Sequence, residues 1–146
     1  MKFSYKKIAP GIIRPIIPIE LIHKYISVPY EVLVDSGADF CVFDAEIAEI
    51  LHLPIAKGKK TEFSGITGDK AIMYVYPVAI RVGGWSYKIE AGFSQDMGPY
   101  AHGIVGQVGF FDQFTVKFDY LWDGGQVFNF AVFGLRDRKP VSNRDT

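Results

Sequence analysis

The chain has 146 residues, and its 16 basic side chains balance 16 acidic ones, so the formal net charge is zero. This length suits one domain with its own hydrophobic core, and a hydrophobic content of 49% excludes disorder as the main state. The balanced charge provides no overall attraction to nucleic acid or to anionic membranes. No apolar run reaches the roughly 18 residues of a membrane-spanning helix, so we expect neither nucleic acid nor a membrane as partner.

Cysteine and histidine usage argues against metals and disulfides. Cys41 is the only cysteine, so no internal disulfide and no cysteine-rich zinc site can form. His23, His52 and His102 are widely spaced and show no metal-ligand pattern. We therefore expect no metal, no cofactor and a reduced, cytoplasmic setting.

The first third of the chain predicts extended segments and one helix. We expect a loose arm over residues 1–10, and an edge strand or extended arm over residues 12–22, because its prolines lack amide donors. A short apolar strand at residues 31–34 ends at the turn Asp35-Ser36-Gly37. Residues 44–52 predict the one convincing helix, with Asp44 as its N-cap.

The remainder predicts strands separated by glycine-containing turns. We expect strands over residues 61–63, 71–82, 85–93, 104–106, 114–118 and 127–133. A flexible hairpin tip joins the first two of these, and Asp123-Gly124-Gly125 is predicted to be a turn before the last. The fold class is therefore all-β with one helix, with a domain over residues 1–133 and a polar tail over residues 134–146.

An aspartate directly after a buried strand is the strongest functional feature. The motif is Val32-Leu33-Val34-Asp35-Ser36-Gly37-Ala38-Asp39. A carboxylate after three apolar residues is poorly solvated, and its charge is costly unless it is paired. The glycine permits a tight turn and a close backbone approach. Taken alone, the tripeptide favours a capped turn, in which Asp35 binds its own backbone, over a catalytic site.

The order of the motifs adds a resemblance to a known family. Leu33 to Asp39 is similar to the hydrophobic-hydrophobic-Asp-Thr/Ser-Gly-Ala motif of the retropepsin-like aspartic proteases, the single-domain relatives of the retroviral proteases. Residues 61–75 resemble their flap hairpin, and Ile104-Val105-Gly106 resembles their later hydrophobic-hydrophobic-Gly element. The resemblance covers roughly residues 15 to 120.

This resemblance implies a closed β-barrel-like fold, a flap hairpin and a homodimer. It implies that Asp35 is catalytic and that Ser36 and Gly37 support the active-site loop. It further implies substrate contacts from Gly37, Ala38, Asp39, Gly65 and Ile66.

The number of aspartate motifs indicates how the active site is completed. Two-domain aspartic proteases carry the motif twice, whereas this chain carries it once, because Asp123 lacks a following hydroxyl residue. The second carboxylate must then come from a second chain across a two-fold axis. Two such carboxylates share one proton, so that one activates a water and the other protonates the scissile carbonyl oxygen.

Two residues depart from the family pattern. Ser36 stands where threonine is commoner, although serine retains the hydroxyl group. Gln107 stands where retroviral relatives often have an arginine that pairs with the second aspartate of the motif, so this ion pair with Asp39 cannot form.

We therefore expect an aspartic endopeptidase that hydrolyses extended peptides or unfolded proteins as a homodimer. The main alternative is a non-proteolytic dimeric module of the same fold that binds peptides or mediates assembly. A weaker alternative is a domain from a larger polyprotein or a fused receptor.

Overall fold

The computed structural model describes residues 1–64, 68–98, 101–120 and 130–135, the last range by its backbone alone. Its helical elements are α1 (Ala45–Ile50) and a 3-10 turn (Ile55–Lys57). Its strands are β1 (Lys2–Ser4), β2 (Lys6–Ala9), β3 (Ile12–Arg14), β4 (Ile16–His23), β5 (Ile26–Val34), β6 (Val42–Asp44), β7 (Lys59–Ser64), β8 (Lys70–Val82), β9 (Trp85–Ser94), β10 (Gly103–Val105), β11 (Phe114–Asp119) and β12 (Phe130–Leu135).

Six of these strands close into a barrel. The pairing order is β4-β5-β10-β6-β9-β8, and β8 returns to β4 where Leu21 pairs with Ile80. β8 is long enough to pair with β9 along one edge and with both β7 and β4 along the other. This closed arrangement with one short α-helix confirms the predicted fold class.

Strand β10 brings two loops together at one end of the barrel. It lies between β5 and β6, parallel to β5, with Val105 beside Val34. Because parallel neighbours end at the same edge of a sheet, the loop after β5 lies beside the loop after β10. The first of these loops begins with Asp35.

The helix begins as the sequence predicts. The Asp44 side chain accepts a hydrogen bond of 2.8 Å from the Glu46 amide, which makes Asp44 the N-cap. Its buried face, through Ala45 and Ala48, packs onto the barrel. No helix in the described residues is long and apolar enough to span a membrane.

The predicted loose arm at residues 1–10 is wrong. Lys2 pairs with Val132 and Lys6 pairs with Arg14, so these residues form β1 and β2. Lys6 also forms an ion pair with Glu31 of β5. Strands this short depend on partners that are distant in the sequence, and local composition does not reveal those partners.

The prediction of an edge strand or arm over residues 12–22 is also corrected. Pro15 separates β3 from β4, and β4 pairs with β5 along its whole length. On its other side β4 pairs with β8 only from Glu20 to Ile22. Pro18 lies outside that part, so its missing amide removes no hydrogen bond to β8.

β11 confirms the strand predicted over residues 114–118, and β12, which pairs with it antiparallel with Thr115 opposite Gly134, overlaps the strand predicted over residues 127–133 and extends to Leu135. The turn predicted at Asp123-Gly124-Gly125 lies outside the described residues, as does the tail from residue 136. The domain boundary at residue 134 therefore stays a prediction.

Replacing Leu21 by alanine should lower the free energy of unfolding by about 2–5 kcal/mol. Leu21 is 0% exposed and lies at the pairing that closes the barrel. Tyr25→Ala is the control, since Tyr25 is fully exposed and its removal should change stability by less than about 0.5 kcal/mol. If denaturant unfolding shows that the two variants lose the same free energy of unfolding, this role of Leu21 in closing the barrel is wrong.

Candidate active site

Asp35 is held at the end of the barrel by backbone hydrogen bonds to its neighbours. Its amide donates to the Val105 carbonyl at 3.0 Å, and the preceding Val34 amide donates to the Pro15 carbonyl at 2.9 Å. The Asp35 side chain is half-buried, whereas Ser36 and Gly37 are exposed. The loop therefore lies at the surface on a fixed base.

The Asp35 carboxylate is oriented by its own loop. Its Oδ1 atom accepts a hydrogen bond of 2.9 Å from the Gly37 amide, and the Ala38 amide donates to the Asp35 carbonyl at 3.2 Å. This is the capped turn that the sequence allows. The bond from the Gly37 amide is the one hydrogen bond of the Asp35 side chain within the described residues, so Oδ2 remains available and the turn presents a carboxylate as well as capping itself.

Residues 106–108 support the other side of this loop. The Gln107 amide donates to the Ala38 carbonyl at 2.8 Å, and the Val108 amide donates to the Asp39 carbonyl at 2.9 Å. A Cβ atom on Gly106 would lie 2.5 Å from the Ala38 carbonyl oxygen and 2.6 Å from that of Phe40. Only glycine allows the Ala38 and Phe40 carbonyls to come this close, which explains why a glycine ends the Ile-Val-Gly motif.

Gln107 makes a contact that the sequence does not reveal. Its side-chain Nε2 donates to the Ser36 carbonyl at 2.6 Å. Asp39 is exposed and forms no ion pair within the described ranges. The Gln107 side chain thus binds the backbone of the motif, and the Asp39 carboxylate has no ion-pair partner among the described residues.

The predicted substrate-contacting residues fall into two groups. Gly37, Ala38 and Asp39 lie together on the loop, and no hydrogen bond within the described chain uses the Gly37 carbonyl or the Asp39 amide. Gly65 and Ile66 lie outside the described residues. The arms that carry them pair as a hairpin, with Ser64 opposite Lys70.

Cys41 has the environment of a core residue. It is 0% exposed, and its Sγ donates to the Val108 carbonyl at 3.4 Å. Burial raises the pKa of the thiol to about 12, so it remains protonated at neutral pH and is a poor nucleophile. His23 is likewise structural, since its Nδ1 forms a 2.8 Å hydrogen bond with the Leu51 carbonyl.

In the described part of the chain, no group of three or more His, Cys, Asp or Glu side chains could hold a metal ion.

A family model described as aspartyl protease matches residues 24–108. The chain belongs to the aspartyl protease family. The match spans more than half of the chain and includes the Asp35 loop, the arms of the hairpin and residues 106–108.

Two solved structures are similar to this chain, and the first of them supports the fold. A retropepsin-like aspartic protease from Rickettsia conorii matches with a TM-score of 0.58 and 16% identity, over 90% of this chain and 98% of that chain. EIAV protease complexed with the inhibitor HBY-793 matches with a TM-score of 0.48 and 24% identity, over 64% of this chain and 82% of that chain. A search of the curated proteins gave no match. The protein is thus an aspartic-type endopeptidase with the predicted retropepsin-like fold.

Replacing Gly106 by alanine should destabilise the protein by about 1–3 kcal/mol, because two backbone carbonyls must move to admit the methyl group. Proteolytic activity should fall as well, since those carbonyls belong to the Asp35 loop. Gly37→Ala is the control for stability, because its Cβ would meet one side-chain atom, Asp35 Oδ1, at 3.3 Å. The interpretation fails if thermal unfolding shows that Gly106→Ala is no less stable than Gly37→Ala.

Proposed function

We propose that the protein cleaves extended peptides as a homodimer whose active site contains Asp35 from each of two chains. One observation carries this proposal. The chain presents a single motif carboxylate on an exposed loop, where a second copy can approach it.

The chemistry of peptide hydrolysis requires two carboxyl groups. Two carboxylates about 3 Å apart cannot both ionise easily, so they share one proton. The ionised group takes a proton from the attacking water, and the protonated group donates to the carbonyl oxygen of the scissile bond. A single Asp35 cannot hold both roles at once, so the second chain completes the site.

Features of the loop support a pairing across a two-fold axis. Ser36 is exposed, and its hydroxyl group makes no hydrogen bond within the described ranges. It is therefore available to brace the same loop of a second copy. In a symmetric dimer each Ser36 would make the same contact, as an isologous interface requires.

The free backbone groups on the loop support an extended peptide as the substrate. The Gly37 carbonyl and the Asp39 amide have no hydrogen-bond partner in the described chain, and free backbone groups of this kind can bind a peptide by strand addition. The paired strands β7 and β8 would cover the peptide, and we expect further contacts from Gly65 and Ile66, which lie between these strands in the sequence. Retention of peptides without cleavage would instead support the non-proteolytic binding module.

Mixing wild-type chains with Asp35→Asn chains should suppress activity as the square of the wild-type fraction. Each site needs two intact carboxylates, so an equal mixture should retain about one quarter of the activity after random exchange. Asp35→Asn alone should lose at least about 10²-fold, while Asp119→Asn, the same change on β11, should remain active.

The measurement is cleavage of a peptide library, with exchange of subunits followed by a mass tag. A linear decrease with confirmed exchange would mean that each chain acts alone, and it would contradict the paired site.

The pH profile of cleavage should be bell-shaped with its maximum in mild acid. Activity requires one protonated and one ionised carboxyl group, so it is lost in strong acid and again where both groups ionise. Initial rates across buffers of constant ionic strength test this. A rate that still rises above about pH 8 would contradict the shared proton, and Cys41 could not account for it, because burial keeps its thiol protonated.

A further inference from the structure

We infer that Gln107 is a positioning residue that fixes the peptide unit donating to the Asp35 carboxylate. The inference rests on the proposed role of Asp35 and adds a residue to it. Gln107 would contact neither the substrate nor the reacting atoms, and it would act through the backbone between Ser36 and Gly37.

Both ends of one peptide unit are hydrogen-bonded. The Ser36 carbonyl accepts from Gln107 Nε2 at 2.6 Å, and the Gly37 amide of the same unit donates to Asp35 Oδ1 at 2.9 Å. The unit is planar and trans, so its carbonyl and its amide point in opposite directions. Fixing the carbonyl therefore fixes the direction in which the amide meets the carboxylate.

The bond to the carbonyl also strengthens the bond from the amide. A donor on the carbonyl oxygen polarises the peptide unit, and hydrogen bonds in a chain reinforce one another. The Gly37 amide stabilises the ionised form of the carboxylate, which is the form that activates water. Gln107 would thus stabilise the ionised Asp35 carboxylate, the general base, through two hydrogen bonds in series.

The side chain of Gln107 can be removed without removing the support of the loop. Its backbone amide binds the Ala38 carbonyl, and its carbonyl accepts from the Asp112 amide at 3.2 Å. The side chain itself is exposed, so Gln107→Ala should fold and leave these bonds in place. Any change at Asp35 can then be assigned to the lost amide group.

Charged groups around the loop define the electrostatic background. They are Asp39 in the loop, Asp112, whose amide donates to the Gln107 carbonyl, and, in the proposed dimer, the second Asp35. None of them changes in Gln107→Ala, so a shift of the pH profile would report the hydrogen-bonded chain.

Two substitutions at Gln107 should change the pH dependence in opposite directions. Gln107→Ala weakens donation to the ionised carboxylate, so the acidic limb of the profile should move to higher pH and activity should fall about two- to tenfold. Gln107→Glu can donate only when it is protonated, so its activity relative to wild type should rise as the pH falls from about 6.5 to about 4. Gln95→Ala, the same truncation at an exposed glutamine, should match wild type.

The resonance of the Gly37 amide proton provides a measurement that does not depend on activity. Gln107→Ala should shift it upfield and move its titration midpoint to higher pH, and Gln107→Glu should recover the wild-type position in acid. The inference is overturned if the Gly37 resonance does not change and the limbs of the pH–activity profile stay where they are in wild type. It is also overturned if the loss of activity only parallels a lower melting temperature. If the wild type does not cleave peptides but the Gly37 shifts occur, the proposed function fails and the positioning role of Gln107 stands.

Discussion

The contact between two loops at one end of the barrel is the constraint on which the site depends. The loop that follows β5 carries the carboxylate, and residues 106–108 hold that loop through two backbone hydrogen bonds. The contact exists because β10 lies between β5 and β6, which brings a segment some 70 residues away in the chain beside Asp35. Gly106 permits the approach, since any larger residue would meet two carbonyl oxygens.

The barrel makes this contact rigid while leaving the carboxylate accessible. Val34 and Val105, the residues that precede the two loops, are buried in the core. The loop itself is exposed, and the carboxylate is fixed by a single amide. A rigid base with a polar, accessible loop is the arrangement that preorganised catalysis requires, because the acid and the base must be in place before the substrate arrives.

Much of the fold and the position of Asp35 directly after a buried strand could be predicted because their signals are local. The motif around Asp35, the N-cap at Asp44 and the alternating strands depend on neighbouring residues. The strands at Lys2–Ser4 and Lys6–Ala9 were not predicted, because their partners lie elsewhere in the chain. The role of Gln107 was missed for the same reason, since its side chain binds a carbonyl that only the fold brings near. The predicted contacts of Gly65 and Ile66 stay predictions.

The most direct test of the paired site is the distance between the two Asp35 carboxylates in an experimental structure with a non-hydrolysable peptide analogue. A paired active site requires a symmetric dimer in which these carboxylates lie about 3 Å apart beneath the peptide. A structure in which the peptide binds to a single chain, or in which the two Asp35 side chains lie in separate clefts, would contradict it.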